Sequence, residues 1–183
     1  LVGVISADQT LYVDDYRAGE RTFSLLTQVV GRAGRGAKGG RAMIQTYTPE
    51  NDVILCAASQ DYDRFYQQEI ELRRLRGCPP FRDLFVLTIS SRSEAAALRT
   101  GARLRGTLEL WLTQPPLREM EVQIFGPAPA AVAKVNDRYR FRLTLAGQNS
   151  PQLRSTLAYL LRCAQRGKEN KGVSVSADVN PLD

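Results

Sequence analysis

The sequence contains no histidine and only three cysteines, Cys56, Cys78 and Cys163, none of them in a C-x-x-C pair. Without histidine, a Ser-His or Cys-His hydrolase and a His-ligated metal are excluded. The odd, scattered cysteines argue against a disulfide framework and a zinc site, and suit a reducing cytoplasm. No apolar run reaches the roughly 18 to 20 residues that a membrane span needs, so no membrane role is expected. The start, LVGVISADQTL, has neither a basic n-region nor an initiator methionine and reads as a strand entered mid-protein, so a fragment of a longer chain is expected. What is present, 43% hydrophobic and 24% charged residues in a chain of 183, is the balance of a globular protein with one large or two small domains.

The net charge of +6 is unevenly placed. Residues 1–78 carry 10 Lys/Arg and 10 Asp/Glu, whereas residues 79–183 carry 15 and 9. The whole surplus therefore lies in the second part, which points to a polyanionic partner for that part.

Hydrophobic periodicity divides the chain further. Residues 1–8 form a near-continuous apolar run, the pattern of a strand buried on both faces. Over 19–30, Phe23, Leu26 and Val30 recur at helical spacing, with Leu25 and Val29 widening the stripe. A glycine-rich connection (34–40) and a second strand (41–48) complete a βαβ unit, the element of an α/β domain. Residues 52–77 are helix-prone, with Tyr62, Phe65, Leu72 and Leu75 as contacts, Glu69–Arg73 as an i,i+4 pair, and a break near 59–62. CPPF (78–81) ends the helix and sets a domain boundary between 78 and 79. Beyond it the pattern predicts strand (84–91), helix (93–113), strand (121–126), strand (138–146), helix (151–166) and strand (172–179). That order, β-α-β-β-α-β, is the split ferredoxin-like arrangement, with helices on one sheet face and the other face open. Alternation in RYRFRLTL turns Tyr139, Phe141, Leu143 and Leu145 inward and Arg138, Arg140, Arg142 and Thr144 to the open face; in the last strand Val173, Val175, Ala177 and Val179 point inward.

One stretch carries chemistry. In QVVGRAGRG (28–36), Gln28, Arg32 and Arg35 are related as i, i+4 and i+7, so a helix would project all three from one face. Two guanidiniums on one edge can converge on an anion, and the adjacent Gly31 and Gly34 allow a nucleotide to approach closely. This is what an arginine finger needs at a transferring phosphoryl group. Helix-end electrostatics alone would account for one Arg and one Gly, and gives no reason for Gln28 or the doubled spacing.

QVVGRAGRG resembles motif VI of superfamily-two helicases. Together with DYRAGERTFSLLTQVVGRAGRG, DYDRFYQQEIELRRLRGCPPF, GPAPA, KVNDRYRFRL and ADVNP, it resembles the PriA (primosomal protein N′) family of replication-restart helicases over essentially the whole chain. The resemblance implies that residues 1–78 are the end of a second RecA-like helicase lobe and 79–183 the family's C-terminal domain. The parent would be an ATP-dependent 3′→5′ DNA helicase, cytoplasmic, that restarts stalled forks and begins primosome assembly. Gln28, Arg32 and Arg35 would then face ATP across the interlobe cleft, with Arg32 and Arg35 as the catalytic arginines and Gln28, Gly31 and Gly34 binding the nucleotide. The G-x-x-x-x-G-K-[ST] loop, the Mg²⁺-binding acidic box and the zinc-binding cysteines of the family are not in this sequence, so the chain alone is expected not to hydrolyse ATP. Two readings compete with this one: a non-catalytic nucleic-acid or protein-binding module, and another helicase of the same superfamily. The γ-phosphate-sensing pattern opposes the first, and GPAPA and ADVNP oppose the second. Cys78 departs from the family, which more often has an aromatic residue before PPF.

The family's implied partners are branched or single-stranded DNA, the acidic C-terminal tail of single-stranded DNA-binding protein, and other primosome proteins. Arg138, Arg140 and Arg142 are assigned to DNA, because a β-face spreads charge along a backbone, and Lys134 is assigned with them. Arg154, on a helix ridge with Arg162 and Arg166, is assigned to the acidic tail. Trp111, in register with Leu104 and Leu108, reads as core, and Tyr62, Phe65 and Tyr66 as packing between domains. Asp14 and Asp15 read as solvated loop carboxylates, and the physical reason for the segment 14–21 is not evident from sequence.

Overall fold

A computed structural model describes residues 1–33 and 40–181, in two compact units, Leu1–Arg76 and Gly77–Asp183. In the first, β1 (Val2–Val4) pairs in parallel with β2 (Ala42–Ile44), Val2 opposite Ala42 and Val4 opposite Ile44. Between them run a one-turn helix α1 (Asp8–Leu11) and the long α2 (Ala18–Ala33). Strand, helix and parallel strand make a βαβ unit, followed by α3 (Asp52–Ser59) and α4 (Tyr62–Arg76). The Asn51 side chain accepts the Val53 N–H at 3.0 Å to start α3, and Gln60, in the left-handed region at φ 57°, ends it. Asp61 then accepts the Arg64 N–H at 3.0 Å and opens α4, so the break falls within the predicted window. The core is Ala7, Phe23, Leu26, Ile54, Cys56, Ala57 and Phe65, with the Phe23 and Phe65 rings stacked 4.2 Å apart.

Three expectations for this unit are corrected. The first strand is not buried on both faces: Val4 and Ile44 pack on the core, whereas Leu1, Ile5 and Met43 are exposed. In α4 Phe65 alone is buried, and Leu72 and Leu75 stay exposed. Asp15 is not solvated. Its side chain is 4% exposed, accepts the Arg17 N–H at 2.9 Å and pairs with Arg21 at 2.8 Å, forming the turn that leads into α2.

The second unit is β3 (Asp83–Ser91), α5 (Glu94–Leu112), β4 (Gln123–Val135), β5 (Arg138–Gly147), α6 (Pro151–Arg166) and β6 (Val173–Val179). The sheet order is β4-β5-β3-β6 with every neighbouring pair antiparallel, the split β-α-β-β-α-β topology. Ser93 caps α5 by accepting the Ala96 N–H, and Ser150, with Pro151 as the first helical residue, caps α6 by accepting the Leu153 N–H. Leu104 and Leu108 of α5 and Leu153, Leu157 and Leu160 of α6 pack on Phe85, Leu87, Ile89, Phe141, Leu143 and Leu145 of the sheet. Trp111 is half-buried at the edge of this core, its ring 5.7 Å from that of Tyr159.

The sheet departs from expectation at its edges. β4 does not stop at 126 but continues to Val135, through irregular pairing between Phe125 and Ala128 and between Pro129 and Lys134. Pro127 and Pro129 are tolerated because β4 is an edge strand, whose outer N–H groups owe the sheet no bond. Asn136 and Asp137, both at positive φ (48° and 57°), make the two-residue turn into β5. On the other edge, Ala177 and Val179 of β6 are exposed, beyond the helices' cover.

Candidate functional site

On α2, Gln28 and Arg32 are both exposed, one turn apart, and Arg32 lies in the helix's last turn. Gly31 is half-buried, and the Gln60 amide explains it. A Cβ on Gly31 would lie 3.2 Å from Gln60 Nε2, which itself donates to the Thr27 carbonyl at 3.4 Å. Gly34 and Arg35 fall outside the described residues. Gln28 also lines a cavity of about 460 Å³ between α2 and α4, with Thr27, Phe23, Tyr62 and Tyr66. These aromatics pack within their own unit: Tyr62 lies 6.1 Å from Phe23 and 6.2 Å from Tyr66.

The segment 14–21 acquires a physical role here. Arg73 of α4 donates to Glu69 at 2.8 Å and to Glu20 of α2 at 2.7 Å, and its guanidinium lies 5.2 Å from the Tyr16 ring. Burial opposes the Arg73 charge, but the two carboxylates outweigh it and push the pKa further up. The Arg17 guanidinium lies 4.4 Å from the centroid of the same ring.

The open sheet face of the second unit carries Arg138, Arg140 and Arg142, all half-buried on β5. Register places Ser90 opposite Arg140 and Thr88 opposite Arg142, with Ser174 and Ser176 one strand further. Arg138 is anchored: Nε donates to Ser90 Oγ at 2.9 Å, and Nη2 to the Ser90 carbonyl at 2.7 Å and to Ser174 Oγ at 3.1 Å. Successive arginines on this face stand roughly 7 Å apart, two strand residues.

Lys134 does not join them. It is registered opposite Tyr139, 5.1 Å from that ring, and Tyr139 packs on the helix-covered side. The extra residues between Pro129 and Lys134 set this register, in a stretch where no strand was expected. Lys134 also pairs with Asp137 at 3.3 Å. Arg154 is exposed on α6 and donates to Asn149 Oδ1 at 2.8 Å. Because α6 covers the core side of the sheet, Arg154 is separate from the three arginines. A cavity of about 500 Å³ lined by Phe81, Glu119, Glu121 and Gln148, and another of about 440 Å³ lined by Trp111, Leu117 and Tyr159, both leave Arg154 out.

Residues 74–182 match the family described as the primosomal protein N C-terminal domain. The chain belongs to this family. It is similar to the replication restart protein PriA of Bacillus subtilis (strain 168), 39% identical over 181 residues, covering 99% of this chain and 22% of that protein. The PriA of Treponema pallidum (strain Nichols) is 33% identical over 183 residues, covering 100% of this chain and 26% of its own length. That of Synechocystis sp. (strain ATCC 27184 / PCC 6803 / Kazusa) is 39% identical over 143 residues, 78% of this chain and 16% of its own. The chain thus spans about a quarter or less of these relatives. In this chain GPAPA is the start of the irregular edge of β4, KVNDRYRFRL the hairpin bearing the arginines, and ADVNP the end of β6. There Asn180, at φ 50°, accepts the Leu84 N–H through Oδ1 at 2.8 Å and donates its own N–H to the Leu84 carbonyl at 2.8 Å. Among the described residues no helix is long and apolar enough to cross a membrane.

Proposed function

We propose that this chain is the C-terminal part of an ATP-dependent 3′→5′ DNA helicase of replication restart, cytoplasmic, acting at branched or single-stranded DNA with primosome partners. Residues 1–78 would end its second RecA-like lobe, and 79–183 would bind DNA. The observation that carries the DNA reading is the arginine row: three cations on one open sheet face, interleaved with hydroxyls, in the part that holds the whole charge surplus. Phosphate contacts of this kind give a steep salt dependence, each worth a log–log slope of roughly 0.7 on single strands. Arg140→Ala with Arg142→Ala should weaken DNA binding and flatten that slope, whereas an unchanged slope would remove the face from the DNA site.

The ATP reading rests on Gln28 and Arg32, whose donor chemistry and common helix edge fit a phosphate group. The chain has no phosphate loop, so the nucleotide would be held by residues elsewhere, with ATP and Mg²⁺ supplying the transferable phosphoryl group and its counter-charge. Zinc does not fit these residues: Cys56 is buried, Cys163 is exposed, and no acidic or cysteine group among the described residues could hold a metal. In the intact parent, Arg32→Ala should lower DNA-stimulated kcat on the order of 10³-fold while leaving DNA binding near its original level. Undiminished ATPase would remove Arg32 from the catalytic set, and Arg35→Ala asks the same of Arg35. Docking of the single-stranded DNA-binding protein tail is supported by the exposed Arg154 alone, and loss of tail-peptide binding in Arg154→Ala is its test.

A further inference from the structure

The open face holds an aromatic residue whose exposure the core does not explain. Phe125 is 51% exposed on β4, between Ile124, which packs on the core, and Gly126. Register sets Phe125 directly opposite Thr144 and therefore on the same face as Arg142, two residues along β5. Diagonal neighbours across an antiparallel pair lie roughly 7 to 8 Å apart, within reach of an aromatic ring and a long side chain.

The backbone holds this relation in place. Gly126 has φ 91°, and a Cβ there would come within 2.5 Å of the Arg142 carbonyl oxygen, so the chain just after Phe125 lies against the backbone of Arg142. Ala128, the register partner of Arg142, is small and exposed. On the far side of Arg142 come Thr88 and then Ser176, hydroxyls able to donate to a phosphate or sugar.

From this arrangement we propose that Phe125 is a stacking platform for an unpaired base, making the open face a site for single-stranded rather than duplex nucleic acid. The proposal rests on the reading of the arginine row as the phosphate-contacting surface and adds the group that reads strandedness. A sheet that pairs an exposed aromatic with flanking cations can stack one base while its phosphates lie along the arginines. In a duplex both base faces are already occupied, so Phe125 has nothing to add there. Stacking is tolerant of sequence, since each base offers a π-face.

The test uses the full chain titrated with a labelled thymidine oligonucleotide and with a blunt duplex of matched length, each at several salt concentrations. Phe125→Ala should weaken single-strand binding on the order of 10-fold, leave duplex affinity unchanged, and preserve the salt slope. Phe125→Trp should restore single-strand binding, and 2-aminopurine in the oligonucleotide should be quenched by the parent chain and by Phe125→Trp but not by Phe125→Ala. Equal weakening of both ligands by Phe125→Ala, no weakening of either, or failure of the Trp variant to rescue would each overturn the stacking role. The Arg140→Ala, Arg142→Ala pair separates the two layers of the argument. If that pair lowers both affinities while Phe125→Ala lowers neither, stacking fails and the phosphate surface stands; if the pair lowers neither, the surface itself fails.

Discussion

Asp8 gathers three hydrogen bonds from one short segment: Thr46 Oγ1 at 2.8 Å, the Tyr47 N–H at 3.0 Å and Thr48 Oγ1 at 3.1 Å. Desolvation pushes the Asp8 pKa up, but these donors outweigh it and hold the carboxyl below the ordinary aspartate range. Folded Asp8 therefore binds its proton less readily than unfolded Asp8. Its contribution is complete above the ordinary aspartate pKa and is lost as the pH falls through the lowered one. Acid titration of the first unit should accordingly be shallower in Asp8→Asn than in the parent chain, and identical acid limbs would mean that another carboxylate is responsible. Gly126 is the other residue whose identity the geometry dictates. Alanine there must accept both φ 91° and a Cβ 2.5 Å from a backbone oxygen, so Gly126→Ala should destabilise the second unit by about 1–3 kcal/mol in urea unfolding. A change of only a few tenths would show that β4 yields easily, and the fixed spacing of Phe125 and Arg142 would lose its support.

Between elements, Arg73 ties α4 to α2 and to the turn before it. It is 15% exposed and its partner Glu69 is 13% exposed, whereas Glu20 is 57% exposed. Screening by water should make the coupling to Glu69 the larger of the two, although both distances are similar. Double-mutant cycles of Arg73 with each glutamate should rank them in that order, with Arg73→Ala alone costing about 1.5–3 kcal/mol. The reverse ranking would mean that the inter-helix pair, not the intra-helix one, carries the network. Of this arrangement only Glu69–Arg73 was legible in sequence, because i,i+4 spacing is local, while Glu20 and Tyr16 meet Arg73 through tertiary packing. The same division holds elsewhere. The alternation of β5 and the caps Ser93 and Ser150 were readable, since one residue type at one spacing specifies each. The far half of β4 was not, because Gly126, Pro127 and Pro129 signal a loop and only edge placement reconciles them with a strand. The faces of Lys134 and Phe125 are not legible in sequence for the same reason, since an exposed aromatic and a core aromatic look alike until register is known.

At the scale of the whole molecule, the two units carry separate cores, and each holds a spectroscopic or chemical reporter of its own. Trp111, the only tryptophan, sits at the edge of the second core, so its fluorescence follows that unit. Cys56 is fully buried in the first core, where desolvation pushes its thiol pKa up; slow alkylation until local opening makes it the reporter of the first unit. Residues 77–183 contain a complete four-stranded sheet with both covering helices and should retain a cooperative transition when expressed without residues 1–76. If nucleic acid binds the open face of that sheet, it stabilises the second unit by mass action, roughly 2.7 kcal/mol at 100 times Kd, and does nothing for a unit it does not touch. Urea is the appropriate denaturant, because guanidinium chloride would screen the phosphate contacts. A single-stranded oligonucleotide at low salt should therefore move the Trp111 transition to higher urea while the Cys56 labelling profile stays in place. The shift should shrink in Arg140→Ala with Arg142→Ala and disappear at high salt. A ligand-induced shift confined to Cys56, or one unaffected by salt, would place the nucleic-acid site outside the arginine row.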